Sequence, residues 1–192
     1  MHGALLSNVV VHPEADATVM PWRNGGGSTS ELVRVPLGGE FDWRLSVATV
    51  AVDGPFSVFA GFDRVIWLLS GNGMDLCFEG DDSVVTLRCS MKPFTFAGER
   101  AVRATLVDGS TTDLNLMWRR GRYDVAAARV DLDGAASLGE SDARSVVYVA
   151  AGSLVLGDEG ELSVGDAADW TGRLRCRGQA TLLHHQLVLR VR

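Results

Sequence analysis

Short runs of β-branched and aromatic residues, many alternating apolar with polar positions, recur along the chain at residues 9–11, 31–35, 43–50, 65–69, 75–78, 84–88, 102–107, 114–118, 146–150 and 182–191. Successive side chains of a strand point to opposite faces, so this period of two predicts strands. Turn residues punctuate the runs: Asp53-Gly54-Pro55, Gly71-Asn72-Gly73, Glu79-Gly80-Asp81, Asp108-Gly109 and Asp158-Glu159-Gly160. Many short strands at this spacing predict a sandwich or barrel. The stretch from Tyr123 to Leu138 reads differently. It is alanine-rich and predicts a short helix or a linker between two halves.

A weak repeat underlies the pattern. Val65-Ile66-Trp67-Leu68-Leu69-Ser70-Gly71 is followed by an apolar strand and by Pro93-Phe94 leading into Phe96-Ala97-Gly98-Glu99. Val146-Val147-Tyr148-Val149-Ala150-Ala151-Gly152 is followed by Leu154-Val155-Leu156 and Leu162-Ser163-Val164-Gly165-Asp166. Strand, glycine turn, strand, return strand and a turn of glycine plus an acidic residue, found twice, predict two copies of one jelly-roll unit.

Composition narrows the function classes. A net charge of −6 without basic clusters argues against nucleic acid as a partner. The apolar runs are too short to span a membrane, and Met1-His2-Gly3-Ala4-Leu5-Leu6 lacks the basic start of a signal peptide. Cys77, Cys89 and Cys176 form no CxxC pair, which suits reduced thiols and a cytoplasmic setting. Nearly every basic residue is arginine, Lys92 being the only lysine. Coding bias explains that, and so does bidentate recognition of carboxylates.

Metal chemistry is not expected. A metal-dependent jelly roll places two histidines at i and i+2 on one strand face, which converges them on one ion. Only His2, His12, His184 and His185 are present. Neighbouring His184 and His185 point to opposite faces, so at most one enters a barrel, and packed or surface histidines are expected. The stretch Asn24-Gly25-Gly26-Gly27-Ser28-Thr29-Ser30 matches neither phosphate-binding nor dinucleotide fingerprints. Its glycines suit a tight turn or a nest of N–H groups facing an anion.

Two strands carry a polar face. Phe41, Trp43, Leu45 and Val47 oppose Asp42, Arg44, Ser46 and Ala48; Leu114, Leu116 and Trp118 oppose Asp113, Asn115, Met117 and Arg119. If the polar faces line a lumen, Arg44, Ser46, Asn115 and Arg119 form a pocket for a carboxylate; otherwise they meet water.

Four strings resemble motifs of the HutD/Ves family. They are Trp22-Arg23-Asn24-Gly25-Gly26-Gly27-Ser28-Thr29, Phe41-Asp42-Trp43-Arg44-Leu45-Ser46-Val47-Ala48, Gly54-Pro55-Phe56-Ser57-Val58-Phe59 with Gly61 and Asp63-Arg64, and Asp113-Leu114-Asn115-Leu116-Met117 with Arg119-Arg120. The match runs from about Met20 to Gly121. The resemblance implies an all-β bicupin: two RmlC-like jelly-roll β-barrel halves with few short helices, residues 1–120 carrying the motifs and residues 121–192 forming the second half. It implies no cofactor, no metal and no established enzymatic activity, and a role in regulating histidine utilisation by sensing a small intermediate such as formylglutamate or urocanate.

The expected ligand-binding residues are Trp22, Asn24, Trp43, Arg44, Ser46, Arg64, Asn115 and Met117. Arg44 and Arg64 would hold carboxylates, Asn24, Ser46 and Asn115 would orient the ligand, and Trp22, Trp43 and Met117 would form apolar wall. The alternatives are a metal-independent isomerase or hydrolase using a lumen carboxylate or Asp63 as base, and a protein-interaction scaffold. A homodimer is compatible with the fold, though no segment identifies an interface.

Overall fold

The computed structural model describes residues 9–157 and 160–190. His2, Asp158, Glu159 and Val191, which figured in the expectations above, lie outside them. Strands dominate: β1 (Val10–His12), β2 (Thr18–Pro21), β3 (Gly27–Val35), β4 (Trp43–Val50), β5 (Gly54–Pro55), β6 (Phe62–Ser70), β7 (Met74–Phe78) and β8 (Val84–Leu87), followed by β9 (Phe94–Ala97), β10 (Val102–Leu106), β11 (Thr111–Arg119), β12 (Tyr123–Leu138), β13 (Ala143–Leu156), β14 (Glu161–Ser163), β15 (Ala167–Thr171) and β16 (Leu174–Leu189). Among the described residues the helical content is one 3-10 turn, Glu14–Asp16. No described helix is long and apolar enough to cross a membrane.

The chain divides into two compact units. One is the contiguous stretch Ala17–Arg122. The other combines the segment ending at Asp16 with the stretch beginning at Tyr123. The first strand therefore does not join the unit that follows it in sequence: Val10, Val11 and His12 pair with Asp169, Ala168 and Ala167 of β15.

In the contiguous unit a sheet ordered β2-β3-β4-β11-β6-β9 faces a smaller sheet ordered β5-β10-β7-β8. Ile66, Leu68 and Phe96 from the first share a core with Met74, Leu76, Phe78, Leu87, Val102 and Ala104 from the second. The two sheets are separate layers, a jelly-roll-like sandwich rather than a closed barrel. The other face of the larger sheet is apolar and buried, with Leu45, Val65, Trp67, Leu114 and Leu116 at no more than 0% exposure. Its central strands therefore carry two differently used faces, one apolar at its centre and one partly polar.

The other unit is one sheet, ordered β1-β15-β13-β16-β12 with β14 on β13. It makes a core by bending. Val147 and Val149 from the first part of β13 meet Leu154 and Leu156 from its second part, around Trp170 and Leu182. The bend follows a line of small residues: Gly134 on β12 pairs with Gly178 on β16, which pairs with Leu154 on β13 beside Gly152. Gly152 has φ +75° and a Cβ there would lie 1.9 Å from the Gln179 carbonyl oxygen; a Cβ on Gly178 would lie 2.2 Å from that of Ser153. Only glycine allows the strands to approach so closely in this conformation.

Two expectations change. Gly152 is not a turn between strands but a crease inside continuous β13, whereas Gly71 and Gly73 do turn the chain from β6 into β7. Tyr123–Leu138 is neither helix nor linker. It is a 16-residue strand paired along its length with β16. Alanine's helix preference is only a weak prior, and a full ladder of cross-strand hydrogen bonds outweighs it.

Candidate functional site

The register of β4, β11 and β6 assembles the site. Arg44 pairs with Met117, which pairs with Arg64; two residues along, Ser46 pairs with Asn115, which pairs with Ile66. Residues directly opposite share a face, so these polar groups form adjacent rows, and Asp113 opposite Ala48 continues them. A bulge between Thr112 and Asp113 interrupts the ladder to β6 at that point. Pro21, Trp22, Arg23 and Asn24 from the end of β2 and its turn, with Pro55, Phe56, Ser57 and Phe59, complete the walls of a cavity of about 490 Å³.

The glycine-rich stretch forms a turn. Trp22 donates its backbone N–H to Gly27 at 2.9 Å, Gly25 donates to the Trp22 carbonyl at 3.0 Å, and Gly26 donates to Asn24 Oδ1 at 3.0 Å. With the Gly25 and Gly26 donors occupied, it is not a nest facing an anion. Gly27 is needed for contact: a Cβ would lie 2.1 Å from the Thr49 carbonyl and 3.1 Å from the Trp22 ring. That close approach seats the indole, whose Nε1–H donates to Thr29 Oγ1 at 2.8 Å.

Two of the three cavity arginines, Arg44 and Arg64, are held from several sides. Arg44 lies 5.2 Å and 5.4 Å from the ring centres of Phe41 and Phe59, is 3.7 Å from the Glu31 carboxylate, and donates to Met117 Sδ at 3.4 Å. Arg64 lies 5.1 Å and 4.9 Å from the rings of Phe56 and Phe96 and is 7% exposed. Such rings attract a guanidinium through their quadrupole and restrict its motion. Arg64 donates to Asn115 Oδ1, and Asn115 Nδ2 donates to Asp113 Oδ1. An amide thus stands between the buried cation and the buried carboxyl.

Burial dominates the electrostatics. It pushes the Asp113 carboxyl up to about 7, with Arg64 and the Asn115 hydrogen bond only partly opposing it. It lowers Arg64 to about 10, Asp113 opposing and Arg44 adding to the fall, so the guanidinium stays charged at neutral pH. Arg44 is lowered for the same reason, and Glu31 opposes the shift. Of the residues lining the cavity, three have a buried side-chain atom with no hydrogen-bond partner: Arg44 Nε, Arg64 Nε and Asp113 Oδ2. Each unsatisfied buried group costs about 1–3 kcal/mol, a penalty that a polar ligand seated here would relieve.

Seven of the eight expected residues line this cavity: Trp22, Asn24, Arg44, Ser46, Arg64, Asn115 and Met117. Trp43 does not. It is 1% exposed on the opposite, apolar face of β4, where strand alternation puts it relative to Arg44. Arg119 also turns away, to Glu40 at 2.9 Å and Asp42 at 3.6 Å. Asp63 is bound to Arg120 at 2.8 Å and is not a cavity carboxylate. That position belongs to Asp113. Its signal was present, two residues before Asn115 on the same face; Phe56 and Phe59 sit outside any regular strand, where periodicity carries no information.

The described histidines lie in the other unit. His12 Nε2 is 2.8 Å from the Asp169 carboxylate, His184 Nε2 is 3.1 Å from Ser145 Oγ and stacks on Trp170, and His185 Nδ1 is 3.4 Å from the Val146 carbonyl. Among the described residues no group of three or more His, Cys, Asp or Glu side chains is placed to hold a metal ion. The cavity itself is lined by three arginines, Arg23, Arg44 and Arg64, and by no imidazole or thiol, a donor set suited to an anion rather than a cation.

Comparison with known proteins adds an independent line. A family model described as HutD matches residues 14–185. An uncharacterized 21.2 kDa protein in the hutC 3′ region of Pseudomonas putida is 41% identical over 139 residues, 71% of this chain and 70% of that one. Protein Ves of Citrobacter koseri is 40% identical over 140 residues, 72% and 71% of the two chains. The structure of HutD from Pseudomonas fluorescens SBW25, in a formate condition, superposes with a TM-score of 0.83 at 31% identity over 95% of this chain and all 100% of that one. The E. coli protein Ylba shares the fold alone, with a TM-score of 0.74 at 10% identity over 96% and 93% of the chains.

Proposed function

The chain belongs to the HutD family, and from that premise we propose that it binds an anionic intermediate of histidine utilisation, such as formylglutamate or urocanate, without a metal, and regulates the pathway by doing so. The observation that carries this reading is the convergence of Arg44 and Arg64 in one cavity, each with its Nε unpartnered. Guanidiniums recognise carboxylates through paired N–H donors. Their clamping by aromatic rings prepares the geometry before the ligand arrives, which lowers the ordering cost of binding. A cavity of about 490 Å³ suits a molecule of this size. The hutC-region relative supports the metabolic setting.

Calorimetric titration of the purified protein with histidine, urocanate, imidazolone propionate, formylglutamate and glutamate, with and without chelator, tests the reading. One acid is expected to bind with chelator-insensitive heat. Losing a charged hydrogen bond costs about 1.5–3 kcal/mol, so Arg44→Ala should weaken that binding at least about tenfold. No heat from any of the five acids sinks the proposal and turns attention to a protein partner.

A second reading has one observation in its favour. Asp113 holds a carboxyl near neutrality within the cavity, as a general acid or base requires. A metal-independent isomerase or hydrolase using it would turn over a bound acid, and NMR of the mixture would show product.

A further inference from the structure

Asp113 shares the cavity with Arg44 and Arg64, yet anion binding by those arginines leaves one of its oxygens without a task. Asn115 donates to Oδ1, and Oδ2 is buried and unpartnered. The charged groups facing it are few. Arg64 on β6 reaches it through the Asn115 amide; Arg44 on β4 is drawn to Glu31 on β3; Arg23 stands exposed among the lining residues. Among the described residues no cation lies within ion-pair distance of this carboxylate. A carboxylate buried without a direct partner is disfavoured relative to its protonated form. Beside a bound anion the imbalance grows, because two negative charges would share one low-dielectric site.

We propose that Asp113 meets the anion as a carboxylic acid, its Oδ2–H donating a hydrogen bond to a ligand carboxylate oxygen beside Arg64, so that ligand binding draws a proton from solvent. This inference rests on the anion-binding reading and gives it a pH sense. The anion keeps its charge. The proton goes to Asp113 Oδ2, and the site trades a repelling carboxylate for a donor. An ionised Asp113 accepting a ligand N–H would have the opposite signature, since its affinity would rise with pH.

The test is calorimetry with N-formylglutamate from pH 5 to pH 8, each point in two buffers of different ionisation heat, on the wild-type chain and on Asp113→Asn. Wild-type protein is expected to take up close to one proton per ligand at pH 8 and close to none at pH 5, with affinity falling up to about tenfold per pH unit above neutrality. The Asp113→Asn amide can donate in place of the acid. It should bind within about threefold of wild type at pH 6, show no buffer dependence, and exceed wild type at pH 8. A wild-type affinity that is flat or rises with pH overturns the inference while leaving anion binding intact. A separate readout needs no ligand: the carboxyl ¹³C resonance of Asp113 in aspartate-labelled protein, assigned by its loss in Asp113→Asn. A midpoint near neutrality supports the inference. One below pH 5 overturns it alone, whereas absence of heat with N-formylglutamate at every pH overturns the ligand reading and this inference together.

Discussion

Arg64, Asn115 and Asp113 form one hydrogen-bonded chain, and its members set each other's charge. Arg64 stabilises the ionised form of Asp113, so Arg64→Met should move the Asp113 titration midpoint upward from about 7, read on the same ¹³C resonance. An unchanged midpoint would show that burial alone governs the carboxyl. The same variant removes a guanidinium held over Phe56 and Phe96, and should weaken anion binding at least about tenfold. Much of this site was legible at the level of single residues. Alternation alone groups Arg44 with Ser46, and Asn115 with Met117. It could not supply the pairing of Arg44, Met117 and Arg64 across three strands, because register is a property of neighbours and not of one strand's pattern. Trp43 shows the opposite case. The alternation already set it on the other face, and only the family motif drew it toward the ligand.

Among the elements, the three long strands of the second unit depend on their glycines unequally. Gly152→Ala would add a methyl 1.9 Å from a backbone oxygen at φ +75°, and Gly178→Ala one at 2.2 Å. Either should cost about 2–4 kcal/mol in chemical denaturation, since backbone strain and a backbone clash combine. Gly134→Ala has an equally left-handed φ of +97° but open space around its Cβ. Its loss should be nearer 1 kcal/mol, the backbone contribution alone. Equal losses for Gly134 and Gly152 would contradict the idea that close strand approach makes the crease. In the sequence, Gly152 looked like the glycine of a hairpin because its neighbours match those of Gly71. What distinguishes the two is β16, which runs beside β13 through the bend and keeps it one strand. That partner lies about thirty residues downstream, beyond the reach of local pattern.

For the whole molecule, acid and base press on different units. Asp113 rises from an ordinary 3.8 to about 7 on folding, so its contribution is fully present below about pH 4 and is lost as pH rises to about 7. The loss is about 4 kcal/mol at most. Burial lowers His184 to about 4 and His185 to about 3 from 6.5, so their contribution is present above 6.5 and is lost as pH falls through those values. Thermal denaturation across pH 3–8 should therefore show stability declining on the acid side. In Asp113→Asn the acid-side decline should steepen between pH 4 and 7, where the Asp113 effect no longer opposes it. An identical profile in the variant would mean that Asp113 ionises normally in the folded protein. The all-β class itself was readable from the sequence, because period-two runs and turn residues repeat over most of its length. The fate of Tyr123–Leu138 was not, since an edge strand of alanines looks local and is held by a distant partner.

The two units also differ in when their strand partners become available. Every strand pairing of Ala17–Arg122 lies within one continuous stretch. As the ribosome delivers the chain from its N-terminus, that stretch has its full set of partners soon after Arg122 emerges. The segment with β1 is made earlier still, yet its partner β15 is made last but one among the strands, and β13 and β12 both wait for β16. During synthesis the cavity-bearing half can thus assemble while the other half is still incomplete, with β1 held unpaired over the time needed to make more than a hundred residues.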